Sequence, residues 1–152
     1  MNDYALQSPL TRRELRHFQM AFKAAGESDF RVKVGCAAYI GDKLIATGCS
    51  QNKTHPMQQK FNVLREFDRN GQCCLDKIHA EMKVLTKLRT MDIRMSDVTI
   101  YVVRICKARP FGLARPCRAC LVALSNAGIR DVRYTTDFQG YAREWIGDRK
   151  LT

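Results

Sequence analysis

The chain has 152 residues, 45% hydrophobic and 27% charged, which suits a single globular domain with its own core. Lys and Arg number 26 against 15 Asp and Glu, and the net charge of +11 favours anionic partners such as nucleotides, nucleic acids or acidic surfaces. No apolar run approaches the roughly 18 residues of a membrane span, and MNDYALQSPL lacks the basic and apolar regions of a secretory leader, so no membrane partner and a cytoplasmic location are expected.

Seven cysteines, an odd number with no leader, argue against a disulfide framework and for core thiols and metal ligands. Thr11 and Glu14 have the spacing of a capping box. Leu15, Phe18, Phe22 and Ala25 then recur at helical spacing up to Gly26, so residues 11–25 are expected as an amphipathic helix. VKVGCAAYI and KLIATGC flank Gly41-Asp42 and predict a β-hairpin. Its first strand is rich in small residues, which suggests a closely packed helix.

Residues 50–76 read as a loop with one short helix, long enough to suggest a functional role. Residues 77–89 predict a helix with Ile78, Met82, Leu85 and Leu88 on its apolar stripe. DVTIYVVRI, residues 97–105, suits a central strand covered on both faces. CRACLVALSNAG predicts a helix ending at Gly128, IRDVRYTT a strand, and DFQGYAREWI a closing helix. The alternation gives an α/β sandwich of helices on a mixed sheet, one domain over residues 1–152.

Two stretches, IHAEM and RPCRAC, carry the chemistry. His79 and Glu81 lie near one helix start, and Cys117 and Cys120 lie at i, i+3 on the next, behind Pro116. One imidazole and two thiolates suit zinc, and three protein ligands leave a fourth position open for catalysis. Zinc brings the pKa of bound water from about 15.7 towards 7. Glu81, beside the metal, is placed to move the proton.

The pattern His79-Ala80-Glu81 followed by Pro116-Cys117-Arg118-Ala119-Cys120 is the H-x-E…P-C-x-x-C signature of zinc nucleobase deaminases. The chain resembles the cytidine and deoxycytidylate deaminase superfamily, and VGCAAYIGDKLIATG extends the likeness to about 100 residues. The resemblance implies a three-layer sandwich, with a mixed sheet of about five strands and helices on both faces. It implies hydrolysis, with zinc hydroxide attacking C4 of cytosine or C6 of adenine and ammonia leaving. It also implies that homo-oligomers are common.

Candidate substrate contacts are Asn52, Ala80 and Arg115. Family members usually carry an Asn just after the second strand; here Ser50 has that spacing, and Asn52 is the nearest Asn, with a turn residue as its alternative. The loop CKARPFGLARPC is longer and more basic than the family's usual segment, and its tip is a candidate substrate mouth. Phe111 there is either a stacking platform or a loop anchor. Cys73 and Cys74 raise a fourth-ligand alternative, and His55 is a candidate mouth residue. Cys36, Cys49 and Cys106 read as core or strand-end thiols.

Three functions follow. The first is deamination of a free cytidine or deoxycytidine nucleoside or nucleotide. The second is the same reaction on cytosine, less readily adenine, in single-stranded DNA or RNA. No acid lies between Asp97 and Asp131, while Arg104, Lys107, Arg109, Arg115, Arg118 and Arg130 do, and that favours a polyanion. The third is a zinc-stabilised nucleic-acid-binding module without catalysis, which Glu81 argues against, since a structural zinc has no use for a nearby proton shuttle.

Overall fold

A computed structural model describes residues 10–65, 77–107, 111–137 and 140–146. Cys73, Cys74 and Arg109 lie outside the described residues. A helix, α1 (Arg12–Gly26), leads into the hairpin β1 (Lys33–Ile40) and β2 (Lys43–Cys49). Short α2 (Pro56–Asn62), then α3 (Ala80–Leu88), β3 (Val98–Ile105), two-residue β4 (Phe111–Gly112), α4 (Arg118–Ala127), β5 (Asp131–Thr135) and β6 (Tyr141–Trp145) follow.

The strands form one sheet in the order β2-β1-β3-β5-β6, with β4 also on β3. β3 and β5 run parallel and every other pairing among the described strands is antiparallel, so the sheet is mixed, as expected. The capping box is present. Thr11 Oγ1 accepts from the Glu14 amide at 3.1 Å, and Glu14 Oε1 accepts from the Thr11 amide at 3.2 Å.

Side chains alternate across the central strands. Ala37, Tyr39, Tyr101 and Val103 face α1 with Phe18 and Ala21. Cys36, Ala38, Ile100 and Val102 face the other way, into the larger core with Leu85 and Leu88 of α3 and Leu121 and Leu124 of α4. Helices thus cover both faces, and β3 is buried on both.

The predicted stripe of α1 is partly corrected. Leu15 and Phe22 are exposed, and the buried face is His17, Phe18, Ala21, Ala24 and Ala25. Gly35 explains the shift. A Cβ at Gly35 would lie 2.0 Å from the carbonyl oxygen of Ala21 and 2.3 Å from the Ala25 nitrogen, so the strand touches helix backbone. Only small residues on both elements allow that approach. In the hairpin turn, Gly41 has φ +60°, the left-handed conformation that glycine adopts without steric cost.

Two expected boundaries change. Residues 77–79 are extended rather than helical: Ile78 donates to the Lys53 carbonyl, and its own carbonyl accepts from Gln51. The closing helix is instead β6, antiparallel to β5. Tyr141–Trp145 reads half-buried, buried, exposed, buried, exposed, which is a strand's period of two. Glu144, a polar residue at a buried strand position, concealed that alternation.

Candidate active site

His79 and Cys117 are the residues at which α3 and α4 begin, and Cys120 lies one turn into α4. Both helices therefore point their free amides and positive dipole ends at one place, a setting that favours thiolates. Cys117 Sγ and Cys120 Sγ each lie 3.5 Å from Nδ1 of His79. The three donor atoms fall within 4.8 Å of one another. Zn–S bonds of about 2.3 Å and Zn–N bonds of about 2.0 Å at a tetrahedral angle put sulfur and nitrogen roughly 3.5 Å apart, so the cradle fits zinc.

The thiols differ. Hydrogen bonding from Cys120 and the neighbouring His79 pull the Cys117 thiol well below its ordinary range, against its burial. Cys120 is pushed up, by the thiolate at Cys117 and by burial. One anion forms readily and the second is opposed by the first, a conflict that a divalent cation between them removes. Burial opposes charge on His79, but the hydrogen bond to Cys117 and the charges of Cys117 and Glu81 together outweigh it and raise its pKa.

Glu81 is the second residue of α3 and is 4% exposed. Burial raises its pKa, Cys117 adds to the rise, and His79 and the hydrogen bond from Cys120 oppose it. His79 precedes the helix in extended backbone, with φ −83° and ψ 158°, while Glu81 lies within its first turn.

Two residues not singled out from the sequence hold His79. Gln58 Oε1 accepts from the His79 amide at 3.0 Å, and Gln58 Nε2 donates to Asn62 Oδ1 at 2.8 Å, both side chains buried. Arg65 Nη1 lies 3.3 Å from Nε2 of His79, where its charge favours the ionised thiols. The signal in the sequence was Gln58 and Asn62 at i, i+4, polar residues on the inward side of a short helix.

The substrate candidates are placed as follows. Asn52 is exposed; its amide donates to Asp29 Oδ1 at 2.9 Å, and it lines an open cavity of about 560 Å³ with Ser28, Asp29, Phe30, Arg31 and Lys33. Ser50, at the spacing expected for an Asn, is buried and structural: its hydroxyl donates to the Val32 carbonyl and accepts from the Val34 amide. Ala80 is fully buried in the core at the start of α3, so its backbone is what it can offer a substrate. Arg115 Nε and Nη2 donate to Glu144 at 3.0 and 3.2 Å, which ties the segment before Cys117 to β6.

His55 is half-buried and caps α2, with Nδ1 accepting from the Met57 amide at 3.1 Å. Phe111 meets Phe22 edge-on at 5.8 Å and Tyr141 at 6.3 Å, which is the loop-anchor role. Cys36 is a core thiol beneath Glu81, raised by burial and then by that carboxylate.

The sequence matches the family model for the cytidine and deoxycytidylate deaminase zinc-binding region over residues 11–136. The chain belongs to that family. No curated protein sequence matches it. Among solved structures it is similar to the dCMP deaminase of cyanophage S-TIM5 in apo form, at 17% identity and a TM-score of 0.59, over 85% of this chain and 86% of that one. The same phage enzyme in complex with dCMP and dUMP matches at 15% identity and a TM-score of 0.59, over 86% and 85%. Cytidine deaminase from Burkholderia pseudomallei matches at 19% identity and a TM-score of 0.59, over 91% and 95%.

Membership makes zinc the family's metal, for which His79, Cys117 and Cys120 form a possible site, and places the chain among deaminases, hydrolases of C–N bonds. Among the described residues no helix is long and apolar enough to cross a membrane.

Proposed function

We propose that this chain is a hydrolytic deaminase that converts cytosine to uracil in a cytidine or deoxycytidine nucleoside or nucleotide. The observation that carries this reading is a three-donor cradle with buried Glu81 two residues from its histidine. Zinc held by His79, Cys117 and Cys120 would supply a water whose pKa falls from about 15.7 to near 7. The chain's own residues then have two tasks. Glu81, whose burial and anionic neighbour strengthen its hold on a proton, takes one at its carboxylate and passes it to the departing amine. The amide end of α4 favours the Cys117 thiolate, the first of the two to form. A related phage enzyme was solved with dCMP and dUMP, a pair that differs by this conversion.

A second reading keeps the chemistry and places the cytosine, or less readily adenine, in single-stranded DNA or RNA. The basic residues near the cavity favour it. A non-catalytic binding module fits less well, because a purely structural zinc has no use for a buried carboxylate beside it.

Glu81→Gln separates enzyme from module. The variant is expected to keep one zinc per chain and lose turnover of deoxycytidine and its monophosphate by roughly 100- to 10,000-fold, the usual worth of a general acid–base. Unchanged turnover in a zinc-replete variant would overturn the assignment of Glu81.

A further inference from the structure

β2 is the outer strand of the sheet, and α3 packs beside it. Lys83 and Lys87, one turn apart on α3, lie along that edge. The stem of Lys83 rests against Gly48, and Lys87 Nζ donates to the Thr47 carbonyl at 2.6 Å. Lys53, on the chain leaving β2, is a second positive charge acting on Lys83. Burial and these two neighbours hold the Lys83 ammonium below its ordinary range. Beyond Asn52, Arg31 and Lys33 line the open cavity. Among the described residues, Glu27 and Asp29 are the carboxylates that act on Cys49 on this side, and Asp29 accepts from the Asn52 amide. Like charges one helical turn apart destabilise a helix unless an anion sits between them.

The length of the strip decides what kind of anion. Lys87 is eight residues beyond His79, about 12 Å along α3 at 1.5 Å per residue. A nucleotide seated at the metal has its phosphate near the pocket, whereas separated cations leading away from it match the successive phosphates of a strand.

We propose that Arg31, Lys33, Lys53, Lys83 and Lys87 bind the phosphate backbone of a single-stranded nucleic acid leading to the zinc site. The proposal deepens the second reading above and rests on it for the base that the strand presents.

The test is fluorescence anisotropy of a labelled oligothymidylate carrying one cytosine, titrated with zinc-loaded protein over a salt series. Wild type is expected to lose affinity linearly in log salt. The triple variant Lys53→Gln, Lys83→Gln, Lys87→Gln is expected to bind about tenfold or more weakly at low salt. Its slope should be shallower by about 2, three contacts at roughly 0.7 each. Its zinc content and its turnover of free deoxycytidine should stay at the wild-type level.

Absent or salt-insensitive binding by wild type, or equal binding by the triple variant, would overturn the proposal. A triple variant that only melts earlier would show that the lysines merely cap the open edge of β2, and the strip would fall. A zinc-loaded wild type that binds the oligonucleotide as expected but turns over no cytosine compound would sink the deaminase reading and leave the strip standing.

Discussion

His79 and Cys117 hold the same position in two different helices. Each is the last residue before its helix, in extended backbone with ψ of 158° and 167°, and each carbonyl accepts the first helical hydrogen bond, from Lys83 and Leu121 respectively. Residues at this position usually turn a side chain back to cap the helix. Neither does so here, and both turn onto the metal cradle. The first amides of both helices thereby have no side-chain cap from His79 or Cys117.

That arrangement makes Gln58 a positioning residue. The His79 amide precedes its helix, and its hydrogen bond to Gln58 is buried. Gln58→Ala leaves a buried donor unsatisfied, at a cost of about 1–3 kcal/mol in folding stability. The imidazole also loses a fixed backbone, so zinc affinity should fall by roughly 10- to 100-fold, as for other supports of metal ligands. Thermal melts and zinc competition against a chelator check the two effects. An unchanged zinc affinity with a lowered melting temperature would show that Gln58 supports α2 and not the metal site.

Much of this was legible in the sequence, for physical reasons that differ by region. The hairpin, the capping box at Thr11 and the strand Val98–Ile105 follow from local turn chemistry and period-two or continuous apolar patterns. The clustering of His79, Cys117 and Cys120 was legible because few residue types bind zinc and their spacing follows the helix starts. β6 was not, because Ala142, Arg143 and Glu144 favour helices on their own, and only β5 and Arg115 make them a strand. Gln58 was hidden because its role depends on where Lys53 and Ile78 pair, a contact across 25 positions of chain. The face of α1 was misjudged because Gly35 sets it from a different element.

The hairpin turn and α1 are joined at Asp42, and this contact should respond to acid. Asp42 Oδ1 lies 2.7 Å from Nε2 of buried His17, which stacks on Tyr39 with ring centres 3.5 Å apart, and Arg16 reaches the same carboxylate at 3.3 Å. The hydrogen bond to His17, then Arg16, hold the Asp42 pKa below its ordinary value near 3.8. In that window the unfolded chain binds the proton more readily than the folded one. The contact therefore stabilises fully above the ordinary value, and its contribution is lost as pH falls through the lowered one. Melts of wild type and Asp42→Asn over the acid range below about pH 5 should show a steeper loss in wild type. Parallel curves would remove Asp42 from the acid response.

Arg115 gives the most discriminating mutation near the site, because two roles predict different readouts. Glu144 is fully buried on β6, and the guanidinium that meets it is 37% exposed. Removing the arginine strands a carboxylate in the core, and breaking a buried pair costs about 3–5 kcal/mol; exposure of the arginine argues for the lower end. Arg115→Ala should therefore lower the melting temperature sharply. Glu144→Gln keeps the shape of the partner without the buried charge, so it should cost less. The double variant Arg115→Met, Glu144→Leu should recover much of the loss, since apolar replacement of a buried pair is often neutral. If Arg115 acts through this bridge alone, the folded fraction of Glu144→Gln keeps the wild-type KM for cytosine substrates, and so does the double variant. A raised KM in the stable double variant, with zinc content intact, would instead make Arg115 a substrate contact.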